Sequence, residues 1–292
     1  MEKKFLDVGK ERLAYFDLGA GKETIVLIHG NMSSSIHYKP IIDRLVNDYR
    51  IIAPDLRGFG DSSYNNEFND LEELADDVLA LLDSLNIYDY VVAGWSTGGA
   101  VALKIAAKRP KEVKKVVLIE SCSYKGYPIF KKDAAGQPLV GQYYSTKAEI
   151  GADPIQVAPM DNIFKTGAKA YMKAVWDQAI YTVNKPSPED DDLYLTETMK
   201  ERCIVDVDWA LTKFNMSNDN NGVIDGDGSI KNVVCPVISF WSEKDIVVLE
   251  YMVDETVAAL KDAKKVKLAK SGHSPLVDCP DVLVKGILEF IK

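Results

Sequence analysis

Histidine is scarce in this chain of 292 residues, with three in all, and cysteine is nearly as rare with four. Cys122, Cys203, Cys235 and Cys279 are scattered without CxxC spacing, which leaves neither a zinc site nor a disulfide framework to expect. Buried free thiols are the expectation instead. No apolar run approaches membrane-spanning length, so no stable membrane insertion is expected. The opening stretch, MEKKFLDVGKERLAYF, carries charge but no apolar signal core, and a cytoplasmic location is the default expectation. Positive charge is also short. The 35 Lys and Arg against 44 Asp and Glu leave a net charge of −9, which disfavours nucleic acid and anionic membrane surfaces as partners. What remains is a composition of 47% apolar and 27% charged residues, that of a folded globular protein large enough for a sizeable core.

The stretch Tyr90 to Lys108, YVVAGWSTGGAVALKIAAK, organises the rest. Tyr90 to Ala93 form a continuous apolar run, as in a strand buried on both faces, and Val101, Leu103, Ile105 and Ala106 favour a packed helix. Between them Gly94, Ser96 and Gly98 make GxSxG, in which a strained turn lifts a serine hydroxyl to the mouth of a sheet. Small residues suit that turn because strand and helix backbones approach closely there.

Other buried strands are expected at Thr24 to Ile28, Ile51 and Ile52, Lys115 to Ile119, Pro236 to Trp241 and Lys265 to Leu268. An edge hairpin is expected over Phe5 to Val8 and Leu13 to Asp17. A helix around Tyr38 to Asn47 should lie on the surface with His37 at its start. Asn69 and Glu72 have the spacing of a capping box before the periodic Leu71, Leu74, Ala75, Val78, Leu82 and Leu85. Alternation of strand and helix argues for a mostly parallel sheet covered on both faces. It stops at Ser121 and resumes at Val234. The intervening segment is rich in Tyr, Pro, Asp and Lys, with helical patterns at Ala168 to Thr182, Leu193 to Arg202 and Val207 to Phe214. The expected organisation is therefore a core of residues 1–120 and 233–292 with an inserted, mainly helical cap of 121–232.

A serine is a poor nucleophile at neutral pH and needs a base that is itself oriented by a third group. His29 follows the first buried strand directly and suits loop support. His273, in KSGHSP after the last strand, sits at the C-terminal edge of the sheet, where active sites of such sheets collect. The orienting carboxylate should leave a strand at the same edge, which both Asp245 and Glu120 do. Asp245 gives the order nucleophile, acid, base and is preferred, with Glu120 as the alternative acid. Oxyanion donors are expected from the backbone amides of Thr97, which follows the nucleophile, and Asn31, in the loop after the TIVLI strand. Trp95, beside the nucleophile, is a candidate for the substrate pocket. The run SNDNNGVIDGDGS at 217–229 does not make an EF-hand: with Gly222 sixth, the twelfth position is Gly228, where a bidentate Glu is needed. No metal and no cofactor is expected.

TIVLIHGN, DLRGFGDSS, GWSTGG, SEKD and SGHSP, in this order, resemble the motifs of the α/β-hydrolase superfamily over about residues 24–120 and 234–292. The resemblance implies an eight-stranded sheet with a cap inserted after the sixth strand. It makes Ser96 the nucleophile, His273 the base and Asp245 the usual acid. The HGN form is similar to that of haloalkane dehalogenases, where the asparagine side chain helps hold the halide. Those enzymes and the epoxide hydrolases carry an aspartate nucleophile, and Ser96 departs from that pattern.

The expected function is a serine hydrolase acting on a carboxylic ester or related acyl compound through an acyl-enzyme on Ser96. The aromatic-rich cap points to an apolar small-molecule substrate, such as a lipid-like ester, a lactone or a hydroxyalkanoate oligomer. The same triad serves C–C bond hydrolysis and cofactor-free perhydrolysis. A low-turnover ligand-binding protein that keeps the fold is the alternative of another class.

Overall fold

The computed structural model describes residues 1–292. In chain order its first strands and helices are β1 (Lys4–Val8), β2 (Glu11–Leu18), β3 (Thr24–Ile28), α1 (Lys39–Leu45), β4 (Arg50–Pro54), α2 (Leu71–Ser84), β5 (Tyr90–Trp95), α3 (Thr97–Lys108) and β6 (Val113–Ile119). There follow β7 (Phe130–Lys132), β8 (Pro138–Tyr143), α4 (Lys147–Gly151), α5 (Val157–Thr166), α6 (Lys169–Ala179), α7 (Pro188–Thr198) and α8 (Ile204–Lys213). The chain closes with β9 (Val237–Ser242), α9 (Glu250–Ala259), β10 (Ala263–Leu268), α10 (Pro275–Asp278) and α11 (Pro280–Ile291). Eight strands form one sheet in the order β1-β2-β4-β3-β5-β6-β9-β10. The β1–β2 and β2–β4 pairs are antiparallel and the other neighbours parallel. This is the α/β architecture the alternating pattern implies.

Alternation along single strands separates the two faces. Val26, Ile28 and Val92 point into one apolar cluster, while Ile25, Leu27, Val91 and Ala93 point into the other. Strands buried this way on both sides need continuous apolar runs, which is why β3, β5 and β9 stand out in the sequence. Helix α2 opens one residue later than its capping pattern implied. Asp70 is the N-cap, and Glu73 Oε1 accepts from the Asn69 and Asp70 amides at 2.7 and 3.3 Å. That start puts Leu71 in the first turn, facing the core.

Residues 121–232 run between β6 and β9, which are paired neighbours in the sheet (Val116 opposite Val237). The segment is mainly helical, but it also holds the antiparallel β7–β8 hairpin. Neither that hairpin nor α4 and α5 stands out in the sequence, because β7 and β8 are short and half exposed and show no two-residue alternation. Helices α6 and α7 of this segment overturn the surface placement of His37. Its ring is buried, stacked on Trp176 at 5.2 Å and on Tyr194 at 5.0 Å. No helix is long and apolar enough to cross a membrane.

Candidate active site

Ser96 sits between β5 and α3 with φ 54° and ψ −122°, left-handed backbone that a non-glycine residue adopts only under strain. Its neighbours must be small. A Cβ on Gly94 would lie 2.1 Å from the Gly98 carbonyl oxygen, and one on Gly98 would lie 2.1 Å from that of Ile28. The Ser96 amide donates to Ile119 O at 2.9 Å, which ties the turn to β6. Ser96 is half-buried while the elbow residues around it are buried, so it is the most exposed residue of the turn. Thr97 begins α3, and the amides of a helix's first turn have no intrahelical acceptor.

The loop after β3 passes directly over this turn: a Cβ on Gly30 would stand 3.0 Å from that of Ser96. His29 holds the loop, as its place in the sequence implies. Its Nε2 accepts from the Leu56 amide at 2.9 Å and its Nδ1 lies 2.8 Å from Gly30 O, so the proton is on Nδ1. Burial pushes this imidazole down to about 4, which keeps it neutral. The Asn31 backbone amide, next in line, donates to no acceptor in the protein.

His273 lies in the loop between β10 and α10, with Nδ1 2.8 Å from Asp245 Oδ2. Both residues are buried. Asp245 leaves β9 in a tight turn, where its Oδ1 accepts from the Val247 and Val248 amides at 2.7 and 3.0 Å. Burial alone would raise this carboxyl. The His273 imidazole and the hydrogen bonds it receives outweigh that and hold it below the usual carboxylate range.

Glu120, the alternative acid, goes elsewhere. It ends β6 fully buried with φ 44°, and its carboxyl accepts from the Ser242 amide at 3.0 Å and the Ser242 hydroxyl at 2.6 Å. Burial, with the charge of Asp245 beside it, pushes Glu120 well above the ordinary range. Glu120 is thus the harder of the two carboxyls to ionise, and the imidazole bonds Asp245.

Trp95 is packed under the site and does not line the cavity. Its ring is buried against His37, Trp176 and His273, and its Nε1 donates to the His273 carbonyl at 2.8 Å. The cavity itself measures about 380 Å³, and 13 of its 19 lining residues are hydrophobic, which sets its character as apolar. Asn31, Ser96, Thr97 and His273 all open onto it. Tyr127, Ile129, Met160, Val175, Ile180, Ile204 and Leu211 supply walls from the 121–232 segment. Of the aromatics there, Tyr127 faces the cavity, whereas Tyr171 is exposed and Trp176 is buried behind Trp95. Two lining residues carried no signal in the sequence, Gln156 and Asp208.

Asp55, Asp61 and Glu197 are close enough to share an ion, but the Lys3 ammonium sits among them at 2.7, 2.8 and 2.8 Å. The four cysteines are unpaired.

A 141-residue stretch, 47% of the chain, is 36% identical to the dihydrolipoyllysine-residue acetyltransferase component of an acetoin cleaving system from Pseudomonas putida. That match spans 34% of the relative's length. Over 278 residues, 95% of this chain and 98% of the relative, it is 23% identical to the pimeloyl-[acyl-carrier protein] methyl ester esterase of Vibrio atlanticus (strain LGP32). The fold superposes on the crystal structure of Cfl2 wild-type from Burkholderia cenocepacia with a TM-score of 0.77 at 23% identity, covering 99% of this chain and 95% of that one. Residues 25–285 match the alpha/beta hydrolase family as a whole, and the chain belongs to that family.

Proposed function

We propose that this chain is a serine hydrolase that cleaves a carboxylic ester through an acyl-enzyme on Ser96. The observation that carries the reading is that Ser96 and His273 face one cavity while His273 Nδ1 is committed to Asp245. That leaves Nε2 as the nitrogen to take the Ser96 proton. The serine oxygen then attacks the ester carbonyl, and the amides of Asn31 and Thr97 donate to the oxyanion. The imidazolium returns its proton to the departing alcohol. Water, deprotonated by the same imidazole, releases the acid and restores Ser96. Asp245 keeps the ring in one tautomer and offsets its positive charge during both halves.

Residues 121–232 act as a cap over the core of 1–120 and 233–292. The apolar walls they supply favour an uncharged, largely aliphatic acyl group, which gains from leaving water. The esterase named among the relatives agrees with this chemistry. Four unpaired cysteines suit a reducing compartment, and the cytoplasm is the proposed setting.

The test is a series of p-nitrophenyl esters graded by acyl length, assayed with wild type, S96A and H273A. The reading expects turnover by wild type and loss to near background in both variants. If the wild type cleaves none of the series, the chain is a binding protein on a hydrolase fold.

A further inference from the structure

Asp208, on α8 of the 121–232 segment, is the one acidic side chain lining the cavity that holds Ser96 and His273. It is 8% exposed, and no cation pairs with it. One oxygen, Oδ1, accepts from Asn31 Nδ2 at 3.0 Å. Asn31 is fixed in that orientation, since its own Oδ1 accepts from the Met32 amide at 2.9 Å. The second oxygen, Oδ2, receives no hydrogen bond from the protein and is not sealed off from the cavity. The nearby Tyr127 hydroxyl is committed elsewhere, donating to Val247 O at 3.1 Å, and the buried Glu201 offers Asp208 no hydrogen bond. Burial pushes Asp208 up to about 7, the mark of a carboxyl with too few donors.

A carboxylate offers about four acceptor positions, and leaving them unfilled in an apolar cavity is unfavourable. An aliphatic substrate would cover Oδ2 and worsen the deficit. A substrate with a donor at that point would relieve it.

We propose that Asp208 is a specificity-determining residue of this cavity, whose free Oδ2 accepts a hydrogen bond from a hydroxyl or ammonium group on an otherwise apolar ester. The inference rests on Ser96 being the nucleophile. It narrows the substrate class from esters in general to hydroxylated or amino-bearing ones, and it disfavours esters that carry a second carboxylate. Sites built to bond a substrate donor reject the analogue that lacks it, because the protein's own polar group is then stranded.

The experiment compares kcat/KM at pH 8.5, where Asp208 is ionised, for ethyl 3-hydroxybutyrate and ethyl 3-aminobutyrate against ethyl butyrate. It also compares 2-hydroxyethyl butyrate against propyl butyrate, so that donors on the acyl and alcohol sides are both sampled. Wild type is expected to favour at least one donor-bearing ester over its partner by roughly tenfold or more. D208L should erase that preference while gaining on the plain ester. D208N keeps the size of the side chain, and should lower the preference for the ammonium ester relative to the hydroxyl ester by about fivefold as the charge is lost. Each ratio is taken on one enzyme, so a general loss of rate from disturbing Asn31 cancels. A wild type without preference overturns the proposal, as do folded D208L and D208N enzymes whose ratios stay within about twofold of wild type. Either result leaves the nucleophile intact provided S96A is inactive on the same esters. Failure of wild type to cleave any of them overturns the nucleophile and this inference together.

Discussion

His273 Nδ1 stands 2.8 Å from Asp245 Oδ2, and the carboxyl of Glu120 is bonded to Ser242 instead. Two carboxyls at one sheet edge therefore have different partners, and Glu120 is the harder of them to ionise. Replacing Asp245 by Asn should remove the acceptor that fixes the imidazole, and kcat/KM should fall by about 10³ to 10⁴ with KM little changed. E120Q, which keeps the size of the side chain and an oxygen for Ser242, should stay within about threefold of wild type. Steady-state kinetics of the two variants decide the matter, and the reverse ranking would move the acid to Glu120.

The raised carboxyl of Glu120 has a signature in stability. A carboxyl raised in the native state takes up a proton on folding at pH values between its unfolded and folded pKa, so it destabilises the fold increasingly as pH climbs above about 4.5. Glutamine has no proton to take up. Urea unfolding of wild type and E120Q at pH 6 and pH 8 should therefore show the difference shifting toward the variant as pH rises. A difference that does not move with pH contradicts the assignment.

His29 and His37 give the opposite dependence. Burial pushes them down to about 4 and about 3 from 6.5, so the unfolded chain binds their protons first. Their neutral burial costs nothing above pH 6.5, and stability is lost as pH falls from there toward 4. Each should withdraw about 2 kcal/mol by pH 5. H29Q, whose amide oxygen can still accept from Leu56, should flatten the decline between pH 6.5 and 5 when unfolding is followed by circular dichroism. An equally steep decline in H29Q would show that other groups cause it.

The elbow stores strain at Ser96, because φ 54° suits glycine and penalises any side chain by about 1–3 kcal/mol. S96G should be inactive yet more stable than S96A by about 1 kcal/mol, after the flexibility of glycine in the unfolded chain is discounted. Thermal unfolding of the two variants checks this directly. G98A should unfold far more readily than either, since its Cβ would meet backbone at 2.1 Å.

The strands that carry Ser96 and Asp245 were legible because burial on both faces demands unbroken apolar runs, a local property of Tyr90 to Ala93 and Val237 to Trp241. The pairing of His273 with Asp245 follows from their order at one sheet edge. What stayed hidden depends on distant chain. Asp208 sits in IVDVDWALTK, where its spacing looks like the polar side of a surface helix, and it is buried because the loop at Asn31, 177 residues away, closes over it. His37 is hidden in the same way by Trp176 and Tyr194. The choice between Asp245 and Glu120 turned on Ser242, whose hydroxyl takes up Glu120 and leaves the ring to the other acid.

The central claim is that the Ser96 hydroxyl is the group activated by His273. Intact-mass spectrometry after exposure to a fluorophosphonate probe tests it most directly, with peptide mapping to locate the adduct. The account predicts one adduct per chain, on Ser96, that is absent in S96A and formed far more slowly in H273A. An unlabelled wild type, or a label that persists in S96A, would contradict it.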